Sequence, residues 1–461
     1  MKDIAVVICN YNKKEYVIKC VASLKSQNID NFDIYVVDNA SNDGSADEIQ
    51  KTYGDEVTLI CNDKNLGGSG GFNTGMRVAY DAGYKYIVLL DNDVVVREDC
   101  IESFYNDMEE YSDIGIMGAK ILKMDKPDVI QEFGSFVDFN EMRFKLAYEN
   151  EKDPEELPHI NECDYVPACA LVVRKELIEK VGFMPEENFI YYDDILWGMR
   201  CKRAGYKVAA DSRAVAWHKG GGGANPTTFP NYYLIRNKTR FFALNRDASS
   251  LPNGSEGDEI LAKNILREVY EGIYACAYND LSNIAKTRFD AFLDALNGVS
   301  GRAVDGRIRQ KEKSRERLYK LLSGKKTILV YVNGDYDDTK RIISEIRYHE
   351  SLEGTSYQID LAGEGEASIL GIAVKNTVDI KDDEYDLVIN ACKHVFYVAP
   401  EHMDKIWVDG WTNVITNEKD AELCRGFASS YKVFELCFMD RLVDFIVRMN
   451  TEEIKKYGRF V

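Results

Sequence analysis

Short, continuous runs of apolar residues alternate with stretches of helical periodicity over the first 95 residues. The apolar runs are Ile4–Cys9, Ile34–Val37, Val57–Cys61 and Tyr86–Leu90. Helical spacing is found between them, at Tyr16–Ser26, Ser45–Thr52 and Asn73–Ala82. Unbroken apolar strands that alternate with helices are typical of a parallel sheet whose two faces are covered by crossover helices. We therefore predict a βαβαβαβ unit for residues 1 to about 95.

The pattern then becomes less regular, and a second α/β segment follows near the end. Helical spacing that opens with acids covers Tyr192–Arg203, and Asp211–Trp217 is predicted as a strand or loop. Residues 255–322 have helical spacing without a strand signal. After them, strands are predicted at Thr327–Val332, Tyr357–Leu361 and Tyr385–Asn390, and a helix at Asp338–Tyr348. We expect an α/β domain over residues 1–250, a helical extension over 251–324 and a smaller α/β domain over 325–461.

Polar residues directly follow each of the four predicted strands of the first domain. The segments that follow them are Asn10–Asn12, Asp38–Ser41, Asn62–Asn65 and Asp91–Asp93. Loops are polar in most proteins, which would explain any one of these segments. Four polar strand ends in succession instead favour a ligand-binding edge, because open α/β sheets bind ligands outside the carboxyl ends of their strands.

Two of these acids have the spacing of a site for a divalent cation. Alternate residues of an extended segment point the same way, so Asp91 and Asp93 can face one point. Carboxylate oxygens suit Mg²⁺ or Mn²⁺, which also hold phosphate oxygens. His218 precedes the run Gly220–Gly223 in a chain with only five histidines, which makes it a further candidate ligand. Taken alone, an Asp-x-Asp triplet is more often a pair of surface acids.

A second acidic pair, Asp193-Asp194, follows the aromatic stretch Phe189–Tyr192. Acids at the start of a helix are favoured for structural reasons alone, since they offset the helix dipole. The functional interpretation is a carboxylate in a partly dry site, poised to take a proton.

A glycine cluster, Asn65–Gly75, precedes the third predicted helix. Its five glycines allow the backbone to come close to a ligand. No Lys-Ser/Thr pair follows Gly75, so the cluster is not a P-loop. The later α/β segment begins with Asn333–Tyr336 and also lacks the GxGxxG fingerprint, which argues against a nicotinamide-dependent oxidoreductase.

Charge and composition exclude several classes of protein. The chain has 77 acidic and 58 basic residues among 461, a net charge of −19, which argues against a nucleic-acid partner. Its 11 cysteines form no CxxC pair, as expected for reduced thiols rather than a disulfide framework. No apolar stretch approaches the roughly 18 residues of a membrane span. We expect a cytoplasmic protein, with a peripheral position at the inner face of the membrane left open.

One segment has the opposite charge from the rest of the chain. Residues 302–326 hold more basic than acidic side chains. The basic ones are Arg302, Arg307, Arg309, Lys311, Lys313, Arg315, Arg317, Lys320, Lys325 and Lys326. The acids are Asp305, Glu312 and Glu316. Such a segment is either a solvated helix face or a docking surface for anionic lipid or a pyrophosphate-linked acceptor.

Taken together, these motifs resemble family 2 glycosyltransferases of the GT-A fold, in particular the bacterial rhamnosyl- and galactofuranosyltransferase branch. Six segments follow the order of the family pattern between residues 1 and about 245. They are Cys9–Asn12, Val37–Ser45, Asn65–Gly75, Asp91–Asp93, Tyr192–Asp194 with Arg200 and Gly205-Tyr206, and Trp217–Gly220. A weaker match covers Asn297–Arg307, and the C-terminal domain resembles no family.

The resemblance implies a role for each matching residue. Asp91, Asp93 and His218 would hold Mn²⁺ or Mg²⁺, and Asp194 would be the catalytic base. The remaining residues would bind or border the nucleotide. They are Asn10, Tyr11, Asn12, Asp38, Asn39, Asn65, Gly70, Gly71, Asn73 and Asn92. One departure concerns the acceptor side: the branch often has another acid two residues after Asp194, where this chain has Leu196.

The implied activity is the inverting, metal-dependent transfer of a sugar from a UDP- or dTDP-linked donor. The acceptor would be a hydroxyl of a polysaccharide or a lipid-linked glycan. A catalytically degenerate scaffold of the same fold is one alternative. A sugar-phosphate nucleotidyltransferase is another, but those enzymes resemble one another in a GxGTRL loop, and here Cys9–Lys13 stands in that place. For the C-terminal domain two hypotheses stay open: acceptor recognition and self-association into a homo-oligomer.

Overall fold

The computed structural model of the protein describes residues 2–220, 225–279, 281–311, 317–333, 335–365, 367–399, 402 and 404–460. Residues 4–218 hold strands β1–β12 and helices α1–α6. In chain order, the strands are β1 (Ile4–Asn10), β2 (Phe32–Asp38), β3 (Thr58–Cys61), β4 (Tyr86–Asp91), β5 (Val94–Val96), β6 (Ile114–Lys123), β7 (Lys126–Glu132), β8 (Ser135–Asp138), β9 (Arg143–Leu146), β10 (Ile160–Cys163), β11 (Ala170–Arg174) and β12 (Lys207–His218). The helices are α1 (Lys14–Lys25), α2 (Ser45–Tyr53), α3 (Gly67–Ala82), α4 (Cys100–Glu110), α5 (Lys175–Val181) and α6 (Asp193–Arg203).

The first sheet has the mainly parallel arrangement that the apolar runs predict. Its strands lie in the order β10-β12-β6-β11-β4-β1-β2-β3, with β5 beside β12 and β7 beside β6. β1 pairs in parallel with β2 and β4, and β2 in parallel with β3, so the carboxyl ends of these strands meet at one edge. β11 runs antiparallel between β4 and β6. This insertion separates the regular βαβ unit from the less regular half that follows it.

Both faces of this sheet are covered, which explains why its strands are apolar without alternation. Val6 and Ile8 of β1 belong to one buried cluster, with α1 and α4. Ala5 and Val7 point the other way, into a cluster with α3 and α5. A strand with both faces buried gains stability from every side chain, because each one leaves water on folding.

Helix α7 (Phe229–Leu244) follows the first sheet, and the helical extension then holds α8 (Ser255–Tyr278), α9 (Ser282–Leu296) and α10 (Arg317–Leu322). No helix in the described part of the chain is both long enough and apolar enough to cross a lipid bilayer.

Three arginines of the basic segment face acids of the protein itself. Arg307 and Arg309 contact Asp290, and Arg317 contacts Asp420 at 2.8 Å. Residues 312–316 of that segment lie outside the described residues.

A second sheet forms the core of the C-terminal part. The elements there are β13 (Thr327–Tyr331), α11 (Tyr336–Glu353), β14 (Gln358–Ala362), β15 (Ser368–Ile369), β16 (Ile372–Lys375), β17 (Leu387–Cys392), β18 (Trp407–Asp409), β19 (Val414–Ile415) and α12 (Glu418–Tyr457). The strand order is β15-β16-β14-β13-β17-β18-β19. β13 pairs in parallel with β14 and β17, as expected for a second α/β unit.

The long helix α12 begins beside the second sheet, where Phe427 packs with Ile415 of β19, and then leaves it. Its residues Leu442, Phe445 and Ile446 share a buried cluster with Leu196 of α6 and Phe241 of α7. The later turns of α12 therefore pack against α6 and α7.

Candidate active site

The carboxyl ends of β1, β2 and β4 bring the predicted polar residues together. The Asn10 amide donates to Asp38 Oδ1 at 3.1 Å, and the Asn92 amide donates to Asn10 Oδ1 at 2.9 Å. Asn10 is fully buried and Asp38 nearly so. This chain of hydrogen bonds joins three strand ends that are far apart in sequence.

The loops after β1 and β2 are tied to each other beside this chain. The Asn12 backbone N–H donates to Ser41 Oγ at 3.0 Å, and the Ser41 N–H donates to Asp38 Oδ2 at 2.9 Å. Asn12 has a left-handed backbone, with φ of 51°, which Asn tolerates better than most residues. Tyr11 between them is 45% exposed, so its ring is free to contact a bound molecule.

Asn39 connects the end of β2 to the glycine cluster. Its amide donates to Gly67 O at 2.9 Å and to Asn65 Oδ1 at 3.3 Å. Its carbonyl oxygen accepts from the N–H of Leu66 at 3.0 Å. The side chain of Asn39 therefore holds the turn before α3 in place through these hydrogen bonds.

The glycine cluster lies mostly inside α3 rather than before it. The sequence predicted that the helix begins near Asn73, but it begins at Gly67. The reason is close packing. A Cβ on Gly71 would lie 2.4 Å from Cys9 Sγ, and one on Gly70 would lie 2.7 Å from Leu66 Cβ. Tertiary contact stabilises a helix whose glycines have low intrinsic propensity.

Asn73 is buried, and its amide is used within the protein. It donates to Met184 O at 2.8 Å and to Glu186 at 2.7 Å, and its carbonyl oxygen accepts from the Met184 N–H. This residue holds the segment that leads toward α6.

Asp91, Asp93 and His218 converge from β4, the turn after it and the end of β12. One ligand atom from each residue lies within 4.8 Å of the other two. His218 Nε2 is 3.3 Å from Asp93 Oδ1. Two carboxylate oxygens and an imidazole nitrogen form a donor set that fits a divalent cation such as Mn²⁺.

The electrostatics of this cluster agree with a cation site. Burial raises the pKa of Asp91 to about 6, and the carboxylates of Asp93 and Asp194 also act to raise it. Burial also acts to raise the pKa of Asp93, but the hydrogen bond and charge of His218 and the Lys13 ammonium outweigh it and leave that pKa lowered. Acids crowded at one point repel each other, and a bound cation relieves that repulsion.

His218 is oriented by a neighbour on its other side. Its Nδ1 lies 3.0 Å from the side-chain amide of Gln131, at the end of β7. A second partner of this kind fixes the ring and its tautomer, as is usual for metal-bound histidines. Gly220 lies beside Gln131 with a left-handed φ of 56°. The rest of the predicted glycine run, Gly221–Gly223, lies outside the described residues.

Asp193 and Asp194 open α6 and have different surroundings. Asp193 is buried against the glycine cluster, where Gly68 faces its carboxylate, and burial raises its pKa to about 7. Asp194 is more exposed, and its Oδ2 accepts from the Ala168 N–H at 3.2 Å. Ala168 adjoins Cys169, whose carbonyl oxygen accepts from the Asp91 N–H at 2.9 Å, so the Asp194 carboxylate lies near the cation cluster.

Two charged residues near the cluster escaped the sequence analysis. Lys13 Nζ lies 3.7 Å from Asp93 Oδ2. Its place directly after Asn12, in a strand-end loop, could have identified it. Glu132 is buried at the end of β7, and burial raises its pKa to about 7, with Asp194 acting in the same direction. No local pattern marks Glu132, because only the fold brings it near Asp194.

The comparisons with known proteins agree with this geometry. Residues 5–180 match the model of glycosyl transferase family 2. The chain is 29% identical over 209 residues to the dTDP-rhamnosyl transferase RfbF of Shigella flexneri, across 45% of this chain and 65% of that protein. It is 25% identical over 215 residues to the galactofuranosyltransferase GlfT2 of Mycolicibacterium smegmatis, across 42% of this chain and 32% of that protein.

The first sheet and the family match coincide: residues 5–180, which hold most of its strands and part of the strand-end site, match the family 2 glycosyltransferases. The family match ends before Asp194 and His218. The aligned region covers less than two thirds of RfbF and of GlfT2. Among solved structures, S. aureus TarS 1–349 is 16% identical with a TM-score of 0.42, over 65% of this chain and 81% of that one.

Proposed function

We propose that the protein is an inverting, metal-dependent glycosyltransferase that uses a UDP- or dTDP-linked sugar. The observation that carries this proposal is the convergence of Asp91, Asp93 and His218 within 4.8 Å of one another, inside a family 2 domain. Two relatives have names that state a donor or a sugar: a dTDP-rhamnosyl transferase and a galactofuranosyltransferase. The acceptor is a hydroxyl of a cell-surface polysaccharide or a lipid-linked glycan.

The donor site follows from the strand ends. Tyr11, Asn12 and Asp38 contact the nucleoside. Asn92 and the first turn of α3 border it. Asp91, Asp93 and His218 would hold Mn²⁺ or Mg²⁺, and the ion would supply Lewis-acid stabilisation of the negative charge on the diphosphate. Lys13, already 3.7 Å from Asp93, adds a positive charge on the same side.

Asp194 is the base in this proposal. Burial raises the pKa of Asp194, which makes its carboxylate a better proton acceptor. It takes the proton from the acceptor hydroxyl as that oxygen bonds to the anomeric carbon. The bond from this carbon to the diphosphate oxygen breaks, and its electron pair leaves with the nucleoside diphosphate. A single displacement of this kind inverts the anomeric centre.

The test is a panel of nucleotide sugars with Mn²⁺, Mg²⁺ or EDTA, read by thermal shift and by donor hydrolysis. We expect metal-dependent stabilisation by one nucleotide family. Asp194→Asn should keep that stabilisation but lose hydrolysis by about 10²- to 10⁴-fold, the usual contribution of a general base. Asp99→Asn, which changes a surface acid paired with Arg97, is the matched control and should behave as wild type.

Two outcomes would contradict the proposal. Wild-type hydrolysis in the Asp194→Asn variant would show that Asp194 is not the general base. The absence of any response to nucleotide and metal would instead favour the alternative, a catalytically degenerate scaffold of the same fold.

A further inference from the structure

The segment that leads into the acid pair has an unusual backbone. Phe189, Tyr191 and Tyr192 have left-handed φ values of 67°, 62° and 66°. Bulky side chains rarely adopt this conformation, which persists only where the surroundings enforce it. We define residues 188–192 as the entry segment. It ends directly before Asp193 and Asp194, so its conformation sets where α6 begins.

Every carbonyl of the entry segment before Tyr192 has a partner elsewhere in the protein. The Asn237 side-chain amide lies 3.0 Å from Asn188 O, 2.8 Å from Ile190 O and 3.0 Å from Tyr191 O. The remaining one, Phe189 O, accepts from the Gly68 N–H at 2.8 Å. A Cβ on Gly67 would lie 2.0 Å from this same oxygen, so the glycine is needed for the contact.

Arg236 supports the same segment from beside Asn237. Its Nη2 donates to Asn188 O at 2.9 Å and its Nε donates to Asn237 Oδ1 at 3.0 Å, which orients that amide. Its Nη1 donates to Gly301 O at 2.8 Å, in the segment Asn297–Arg307 that the sequence analysis singled out. Arg236 makes no ion pair with any residue that the structure describes.

Arg236 and Asn237 are fully buried on α7, and most of their donors end on main-chain oxygens. Burying polar groups is unfavourable unless each finds a partner, and here the partners are the carbonyls of the entry segment. The hydrogen bonds from Arg236 and Asn237 therefore stabilise the entry segment in its strained conformation.

We propose that Asn237, oriented by Arg236, is a positioning residue for Asp194. It holds the entry segment in its left-handed conformation and thereby places the first turn of α6 against the cation cluster. The inference rests on the proposed function of Asp194 and extends it to a residue on another helix. Asn237 itself touches no reacting atom.

The test compares Asn237→Ala with Asn245→Ala. Asn245 is equally buried and directly follows α7; its amide donates to Phe241 O and its Oδ1 accepts from Arg203 at the far end of α6, so it does not contact the entry segment. We expect Asn237→Ala to lower kcat for donor hydrolysis by about 10²-fold, as misplacement of a catalytic group by 1 Å can do. The affinity for the nucleoside diphosphate with Mn²⁺ should change less than about twofold, because the strand ends are untouched.

A second readout follows the entry segment directly. Hydrogen exchange at the Gly68 and Leu196 amides, which bond to Phe189 O and Tyr192 O, should accelerate in Asn237→Ala and not in Asn245→Ala. If Asn237→Ala does not fold, Arg236→Lys serves in its place, since Lys keeps the charge but cannot reach both Asn188 O and Gly301 O.

The outcomes separate this inference from the proposed function. A folded Asn237→Ala with wild-type kcat, or equal losses in both alanine variants, would overturn the positioning role. Asp194→Asn with full hydrolysis would overturn the role of the base instead, whatever the Asn237 variant does.

Discussion

Two adjacent buried acids, Asp107 on α4 and Asp211 on β12, show how burial controls charge at single residues. His159 Nε2 is 2.9 Å from Asp107 Oδ2 and 3.6 Å from Asp211 Oδ1. The side chain of Arg213 pairs with Asp107. Burial, together with the neighbouring Asp107 carboxyl, raises the pKa of Asp211 to about 8. Asp211 therefore keeps its proton to a higher pH than an exposed aspartate does.

This raised pKa makes stability depend on pH in a defined direction. Asp211 contributes stability that is fully present below its unfolded pKa of about 4 and is lost as the pH rises to about 8. Asp211→Asn cannot ionise. We expect the unfolding temperature of wild type, relative to that of Asp211→Asn, to fall between about pH 4 and 8 and then to level off, as measured by thermal unfolding.

The control for this experiment is Asp113→Asn. The hydrogen bond from Lys207 lowers the pKa of Asp113, so above about pH 5 this acid is ionised in both the folded and the unfolded state. The unfolding temperature of Asp113→Asn should therefore change with pH in parallel with that of wild type above about pH 5. Parallel curves for Asp211→Asn as well would contradict the raised pKa.

At the scale of elements, α3 shows packing overriding intrinsic propensity. Alanine is favoured over glycine by about 1 kcal/mol inside a helix. At Gly75, however, a Cβ would lie 2.4 Å from Val7 Cγ1 and 3.0 Å from Val37 Cγ2. These valines belong to β1 and β2, so the glycine lets the helix lie directly on the sheet.

We expect Gly75→Ala to lower the free energy of unfolding by about 1–3 kcal/mol, the usual effect of overpacking a core. Gly68→Ala is the matched control in the same helix, because its Cβ would meet nothing closer than 3.7 Å. That variant should be neutral or more stable by up to about 1 kcal/mol. Urea unfolding measures both, and equal shifts of one sign would contradict the packing argument.

At the scale of the whole molecule, helix α12 supports helix α6 of the first domain. Glu453 of α12 accepts from Arg200 Nε at 2.8 Å and from Arg200 Nη2 at 3.2 Å, and both residues are buried. Arg200 also contacts Glu187 at 3.0 Å and lies over the Tyr457 ring at 4.5 Å. Arg200 is on α6, two turns after Asp193, so α12 anchors the helix that begins with the acid pair.

Breaking this pair should destabilise the protein. We expect Glu453→Gln to lower the free energy of unfolding by about 3 kcal/mol, near the low end for a buried ion pair, since Glu187 still faces Arg200. Glu452→Gln changes the exposed neighbour and should have no measurable effect. Denaturant unfolding tests both variants, and a Glu453→Gln variant as stable as wild type would contradict the anchoring role.

Because Glu453 of α12 binds Arg200 of α6, removing the whole C-terminal domain affects more than acceptor recognition or self-association. Deleting residues 325–461 would remove α12 together with the second sheet, and so would disturb α6. Acceptor recognition and self-association are better separated by excising residues 327–415 and keeping α12 joined to the helical extension.

The amino-acid pattern alone determined the parallel βαβ unit and which residues follow its strands. Unbroken apolar runs require two covered faces, and parallel strands place their carboxyl ends at one edge, so Asn10, Asp38 and Asp91 had to come close together. The resemblance to family 2 glycosyltransferases was drawn from the same residues, and the family match supports it over residues 5–180. These inferences depend on local order along the chain, which periodicity records directly.

Tertiary structure alone decided the contacts between distant segments. Gln131 beside His218, Asn237 on the entry segment and Glu453 on Arg200 join residues separated by dozens to hundreds of positions. The early start of α3 belongs here too, because close packing of Gly71 and Gly75 outweighs the low helix propensity of glycine. No periodicity encodes such contacts: they arise where buried polar groups must find partners and where backbones approach closely, and only the folded chain fixes both.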